Sequence, residues 1–308
     1  MVLVDRTNIP CCVLAGIMLL AAGCSRVAEN RPSDGRLAVL VGVPPLKYLV
    51  EQIGAAHVKV DVLVQPGQDP HTFEPTPQQV VAVGRAAVFF KIDMPFEAML
   101  LENIRQGNRR LEVVDATQGI QKRRIDGSHD DRAAGNARDE ASHAGEFDPH
   151  VWLSPPLLKK MAANIADGLC RADPAHKREY QQNLAAMDKR LDSLDQRVRK
   201  ILAPYRGRTF YVFHPGLAYF ADAYGLHEEP IEVAGQQPTP KQLRALIEKA
   251  RGEGAKTVFL QREFTAQSAK VFADALGGQV VTINGLGENV VADIEDIAVK
   301  MEQSMRIP

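Results

Sequence analysis

The chain has 308 residues, and 37 basic against 38 acidic side chains leave a formal net charge of -1 with only 6% aromatics. No basic stripe interrupts that balance, which argues against nucleic acid as a partner. With a leader removed, roughly 280 residues remain, the size of two ordinary domains.

In chain order, Arg6 precedes an apolar run from Cys11 to Ala22 that ends in Leu20-Ala21-Ala22-Gly23-Cys24. The run is too short to span a bilayer as a helix. Small residues leading to a cysteine resemble a lipobox, although Ala21 stands where leucine is preferred, so residues 1–24 are read as a lipoprotein signal and Cys24 as the lipidated residue. The mature chain is thereby expected in the cell envelope, anchored to a membrane and facing the periplasm or exterior. Cys11 and Cys12 leave with the leader and Cys24 is claimed by lipid, so Cys170 is left alone and no internal disulfide is expected. Residues 25–35 are polar and suit a tether.

From Arg36 the pattern is α/β. LAVLVGV reads as a buried strand, PPLKYLVEQIG as a helix and VKVDVLV as a second strand, followed by a loop with His71. The next helix opens on Thr76-Pro77-Gln78-Gln79, in which Thr76 caps, Pro77 fits the first turn and Gln79 reaches back. AAVFFKI and LEVVDA are further strands; residues 121–145 turn polar and irregular and read as a surface loop with His129 and His143. A helix is predicted over Pro156 to Cys170 and a longer one over Pro174 to Leu202, on the order of 40 Å. Then the pattern restarts: RTFYVFH as a strand, GLAYFADAYG as a helix, a second cap at Thr239-Pro240-Lys241-Gln242, AKTVFLQ, a helix, QVVTIN and a closing helix. The predicted architecture is two α/β lobes, each a parallel sheet flanked by helices: residues 36–170, a connecting helix over 171–205, and residues 206–308.

Three histidines stand in loops that each follow a short extended run, in DPHTFEP (His71), EFDPHVWLSP (His150) and FYVFHPG (His214). Any one alone would more often be a hydrogen-bonded loop residue. Loops beyond the carboxyl ends of parallel strands are where ligands gather; His71 and His214 fall there and His150 lies in a loop just before a helix, and three imidazoles converging from separate loops make a transition-metal site. Asn284 ends the last strand and is the candidate fourth ligand. Nitrogen-rich ligation with little carboxylate favours zinc over manganese or iron. Three histidines plus water also describe a zinc hydrolase, with Glu74 or Glu263 as the base, but HExxH is absent and no nucleophile stands with a base in a known arrangement. His57, His176 and His227 lack flanking ligand patterns and read as surface residues.

DPHTFEPTPQQV, DPHVWLSP, FHPGLAYFADAYGL and the long helix together resemble the metal-binding lipoproteins of bacterial ABC importers for zinc and manganese, the cluster A-I solute-binding proteins; the likeness runs from Leu37 to Pro308. The resemblance implies two lobes on a rigid backbone helix, one metal in the cleft between them ligated by His71, His150 and His214, and delivery to a permease with its ATPase. A monomer without enzymatic activity is expected; a surface adhesin-like lipoprotein is the other non-enzymatic alternative. The chain departs from the family at Asn284, where many members carry aspartate, and at Gln261-Arg262-Glu263-Phe264, where Glu-Pro-Gln-Phe is usual. Glu263 is read as a solvated loop residue rather than a substitute ligand. The loop with His129 and His143 resembles a shortened form of the family's histidine-rich acidic loop, a candidate for transient metal capture or merely a surface segment.

Overall fold

The computed structural model describes residues 35–107, 111–124, 147–232, 236–265 and 267–306. Cys24, His129 and His143 lie outside these residues. Among the described residues no helix is long and apolar enough to cross a membrane.

Two parallel four-stranded sheets repeat one topology. The first holds β1 (Leu37–Val41), β2 (Val58–Val62), β3 (Val88–Lys91) and β4 (Glu112–Asp115) in the order β2-β1-β3-β4. The second holds β5 (Thr209–Val212), β6 (His227–Pro230), β7 (Thr257–Gln261) and β8 (Gln279–Ile283) in the matching order β6-β5-β7-β8. In each sheet the direction of winding reverses beside the first strand, where a crevice opens at the carboxyl ends of the strands.

Helices α1 (Pro44–Gly54), α2 (Pro77–Val83), α3 (Pro95–Gly107) and α4 (Pro155–Ala172) belong to the first lobe; α6 (Ala218–Tyr224), α7 (Pro240–Gly252), α8 (Gln267–Ala275) and α9 (Val290–Met305) follow α5 (Lys177–Leu202). Both predicted capping boxes form: Thr76 accepts from the Gln79 N–H and Thr239 from the Gln242 N–H, and each glutamine reaches back to its cap. The helix α5 begins later than predicted, because Pro174–His176 forms a tighter turn ahead of it. Its 26 residues span about 39 Å at ~1.5 Å per residue.

Along α5 the side chains of Tyr180, Met187, Leu191, Leu194, Val198 and Leu202 form one buried stripe. That stripe packs on α1 and α4 from the first lobe and on α9 from the second. One apolar core therefore runs from both faces of the first sheet through α5 and α9 to Phe210, Val212 and Phe259 of the second, while a smaller one around Tyr211, Phe213, Leu260 and Phe272 fills the space under α7 and α8. Two elements had no counterpart in the sequence reading, α3 and β6. The strand β6 reads His-Glu-Glu-Pro and lies at the sheet edge, where a proline and charges are tolerated because one side of the backbone has no partner strand.

Candidate metal centre

His71 lies in the loop between β2 and α2. In Asp69-Pro70-His71 the aspartate Oδ1 accepts the His71 backbone N–H at 2.9 Å and Oδ2 accepts from the Thr72 hydroxyl at 3.2 Å, which folds the loop on itself. Gln79 ties the far end back to the strand by donating to the Leu63 carbonyl at 2.8 Å. Phe73 anchors the loop edge-on against Phe96, with ring centroids 5.0 Å apart.

His150 repeats the device. In Asp148-Pro149-His150 the aspartate Oδ1 accepts the backbone N–H at 2.9 Å, and the same oxygen also takes the ring Nδ1 at 2.8 Å. The turn Val151–Leu153 then leads into α4, and Trp152 donates its indole N–H to the Gly285 carbonyl of the second lobe at 2.8 Å. His214 leaves the carboxyl end of β5. Its Nδ1 meets Glu232 Oε2 at 2.8 Å, its backbone N–H donates to Gln261 Oε1 at 3.3 Å, and the Phe264 ring stacks on it at 4.6 Å. Glu228 Oε1 accepts the Gly216 and Leu217 N–H groups at 3.0 and 2.7 Å and so fixes the chain just beyond this histidine.

The three rings meet in the gap between the lobes. His71 Nε2 is 3.2 Å from His150 Nε2 and 3.2 Å from His214 Nε2. Among the described residues these three form the group of histidine, cysteine or acidic side chains able to hold a cation, with ligand atoms within 4.8 Å of one another. Tetrahedral ligands at ~2.0–2.1 Å from zinc stand about 3.3 Å apart, so His71 is already at ligand spacing from each of the other two rings. Asp148 and Glu232 also set the tautomers: a carboxylate beside Nδ1 keeps the proton there and leaves Nε2 as a lone pair aimed at the gap. His150 and His214 are buried and His71 is half-buried. Burial pushes the pKa of His214 below the ordinary imidazole value, the Glu232 hydrogen bond opposing and the nearby His150 reinforcing that shift.

Asn284 directly follows β8, but both halves of its amide are engaged: the NH2 donates to Asp293 Oδ1 at 3.1 Å and the oxygen accepts the Leu286 N–H at 3.3 Å. These bonds shape the β8–α9 loop. Glu263 is half-buried rather than fully solvated; burial raises its carboxyl pKa, and Asp69 and His150 are among the charges acting on it. His57 and His176 are outside this group and stack on each other at 3.7 Å, paired with Glu179 and Asp173 respectively at 2.7 Å, while His227 is exposed.

The sequence reading missed Asp148 and Glu232 as orienting acids. The first was signalled by the repeated Asp-Pro-His; the second, 18 positions beyond His214, had no local signal.

Comparison with known proteins places these residues in context. Residues 39–304 match the family model described as ZnuA, zinc-uptake complex component A, periplasmic. The high-affinity zinc uptake system protein ZnuA of Bacillus subtilis (strain 168) is 27% identical over 281 residues, covering 89% of this chain and 87% of that protein. A crystal structure of ZnuA superposes with a TM-score of 0.78 at 35% identity, covering 87% of this chain and 99% of its own. A zinc-bound ZnuA deletion mutant gives a TM-score of 0.79 at 34% identity over 87% of this chain and 98% of its own.

Proposed function

The chain belongs to the ZnuA family of periplasmic zinc-uptake components, and from that premise we propose that it captures zinc outside the cytoplasm on His71, His150 and His214 and delivers it to the permease of an ABC importer powered by its ATPase. The observation that carries the reading is the convergence of three imidazole nitrogens within 4.8 Å of one another, two of the rings oriented by buried carboxylates.

Zinc is favoured over manganese or iron because the donors are nitrogen and the acids bonded to them stand on the far side of the rings, at Nδ1. Water completes the tetrahedron in this reading, since the Asn284 amide is occupied in its own loop. Transport is favoured over hydrolysis because the chain matches a zinc-uptake family, and Asp148 and Glu232, the acids bonded to the histidine rings, are spent on Nδ1 atoms. Cys24 would carry the lipid that keeps the carrier at the membrane near its permease.

The test is zinc titration of chelator-stripped protein in competition with manganese. Wild type should take up one equivalent of zinc, and His150→Ala should lose more affinity than the ~10–100-fold typical of a lost outer partner. Near-wild-type affinity in that variant would refute the ligand assignment.

A further inference from the structure

The motif that follows His214, GLAYFADAYG, supplies a helix, yet metal ligation makes no use of its Tyr219. This side chain is buried, 5% exposed, and its hydroxyl works in both directions. It accepts the Arg123 backbone N–H at 2.8 Å and donates to the Asp148 carbonyl at 2.8 Å. Asp148 in turn donates its own N–H to the Arg123 carbonyl at 2.8 Å, closing a ring of three hydrogen bonds. At its outer edge the Arg123 guanidinium reaches both carboxylate oxygens of Asp222, one turn further along α6, at 2.5 Å.

The partners come from opposite lobes. Tyr219 and Asp222 sit on α6, whose start Glu228 clamps directly after His214. Asp148 belongs to the first-lobe segment that presents His150, and its carboxylate holds both the backbone and the ring of that histidine. A continuous polar path therefore runs from the His214 loop through α6 and Tyr219 to Asp148 and His150. Only a hydroxyl can serve here: phenylalanine would neither accept the Arg123 N–H nor satisfy the Asp148 carbonyl, and both groups would be left facing a buried ring.

We propose that Tyr219 is a positioning residue for metal capture: through Asp148 it locks His150 of one lobe in register with His214 of the other, and it thereby slows release of the bound cation. This rests on the zinc-capture reading above. A group acting one step beyond an orienting carboxylate belongs with the outer partners of a metal site, whose loss typically costs ~10–100-fold.

The experiment measures zinc release from the folded full-length protein into excess chelator by stopped flow. Tyr219→Phe should release zinc about tenfold faster than wild type, at the lower end of the range for outer partners. In an Asp148→Asn background the same substitution should add no more than about twofold, the scatter expected of uncoupled sites, whereas in a Glu232→Gln background it should keep its full effect. A merely structural role would add equally to both. Release from Tyr219→Phe within about twofold of wild type, or an undiminished effect on Asp148→Asn, overturns the proposal. Should Tyr219→Phe fail to fold, Asp222→Asn loosens Arg123 from the exposed side, and a release rate unchanged from wild type in that variant likewise counts against it. Wild-type protein that takes up no zinc overturns the zinc reading as well; normal wild-type binding with unaltered variants overturns this inference alone.

Discussion

Neutralising the two orienting acids isolates what the carboxylates contribute without touching a ligand. Asp148 and Glu232 are 7% and 9% exposed, and each holds an imidazole Nδ1 at 2.8 Å. Asparagine and glutamine keep a hydrogen-bond acceptor at the same place but remove the charge, so the loss is the difference between a charge-assisted and a neutral hydrogen bond, about 1–2 kcal/mol at a buried site. At ~1.4 kcal/mol per decade this weakens zinc binding by roughly 5- to 30-fold for Glu232→Gln. Asp148→Asn should lose more, because one oxygen serves both the backbone N–H and the ring, and an amide turned the wrong way faces both donors with its NH2. Zinc affinity read by competition with a chromophoric chelator, alongside melting of the metal-free proteins, separates binding from folding. Affinities of both variants within about twofold of wild type would refute the claim that these acids set the imidazoles.

Three other outcomes follow from the same geometry. Zinc affinity should fall as pH drops from about 7 to about 5, since protons compete for the ring nitrogens; His214, held below the ordinary value by burial, surrenders its lone pair only toward the acid end, so the loss is spread across the range. An affinity constant over that interval would contradict imidazole ligation. Glu97 is 1% exposed with Oε1 unpartnered, and burial raises its pKa from 4.5 to about 7. Between those values the unfolded chain has lost the proton that the folded chain keeps, so stability of the metal-free protein should fall as pH rises through the window, by up to about 1.4 kcal/mol per unit from this group. Denaturant unfolding at several pH values should show a flatter dependence for Glu97→Gln, which stays neutral and can still accept the Ile92 and Met94 N–H groups; an identical slope would rule the effect out. Gly168→Ala would place a Cβ 2.7 Å from Phe90 and 3.1 Å from Val114, where α4 meets the first sheet. The overpacking, about 1–3 kcal/mol, should exceed the ~1 kcal/mol helix-propensity gain and lower the melting temperature.

The sequence was most readable where one residue type has one local job. The buried strands declared themselves as unbroken apolar runs, and the two Thr-Pro-x-Gln caps marked helix starts that form as predicted. The repeated cap also hinted at the duplicated strand order that the two sheets share. His71 and His214 were recognisable because each lies beyond a strand of a parallel sheet, which puts it on the rim, and His150 because of its setting in EFDPHVWLSP just before a helix. The limits had physical causes too. The edge strand β6 carries too few apolar residues to show a pattern, because its neighbour covers only one side. Glu232 and Tyr219 act across distances that periodicity cannot encode. The role of Asn284 depended on Asp293, a residue of the following helix whose proximity only the folded loop reveals.

Charge balance explains how the site can do without an aspartate at the end of β8. A dication held by three neutral imidazoles in a largely buried gap would carry an uncompensated charge, which is costly away from water. Asp148 and Glu232 supply one negative charge each at a single ring's remove, so cation, rings and acids together sum to zero. Because each acid bonds to Nδ1, it also shifts electron density toward the lone pair on Nε2, strengthening the ligand while standing outside the coordination sphere. Asn284 can then be spent on the β8–α9 loop without leaving the cation's charge unmatched. A carboxylate in place of Asn284 would instead offer the hard oxygen donor that manganese prefers. Under the proposed ligation the nitrogen-only inner set and the displaced acids would work together: selectivity for a borderline-soft cation would come from the rings, and neutrality from the residues behind them.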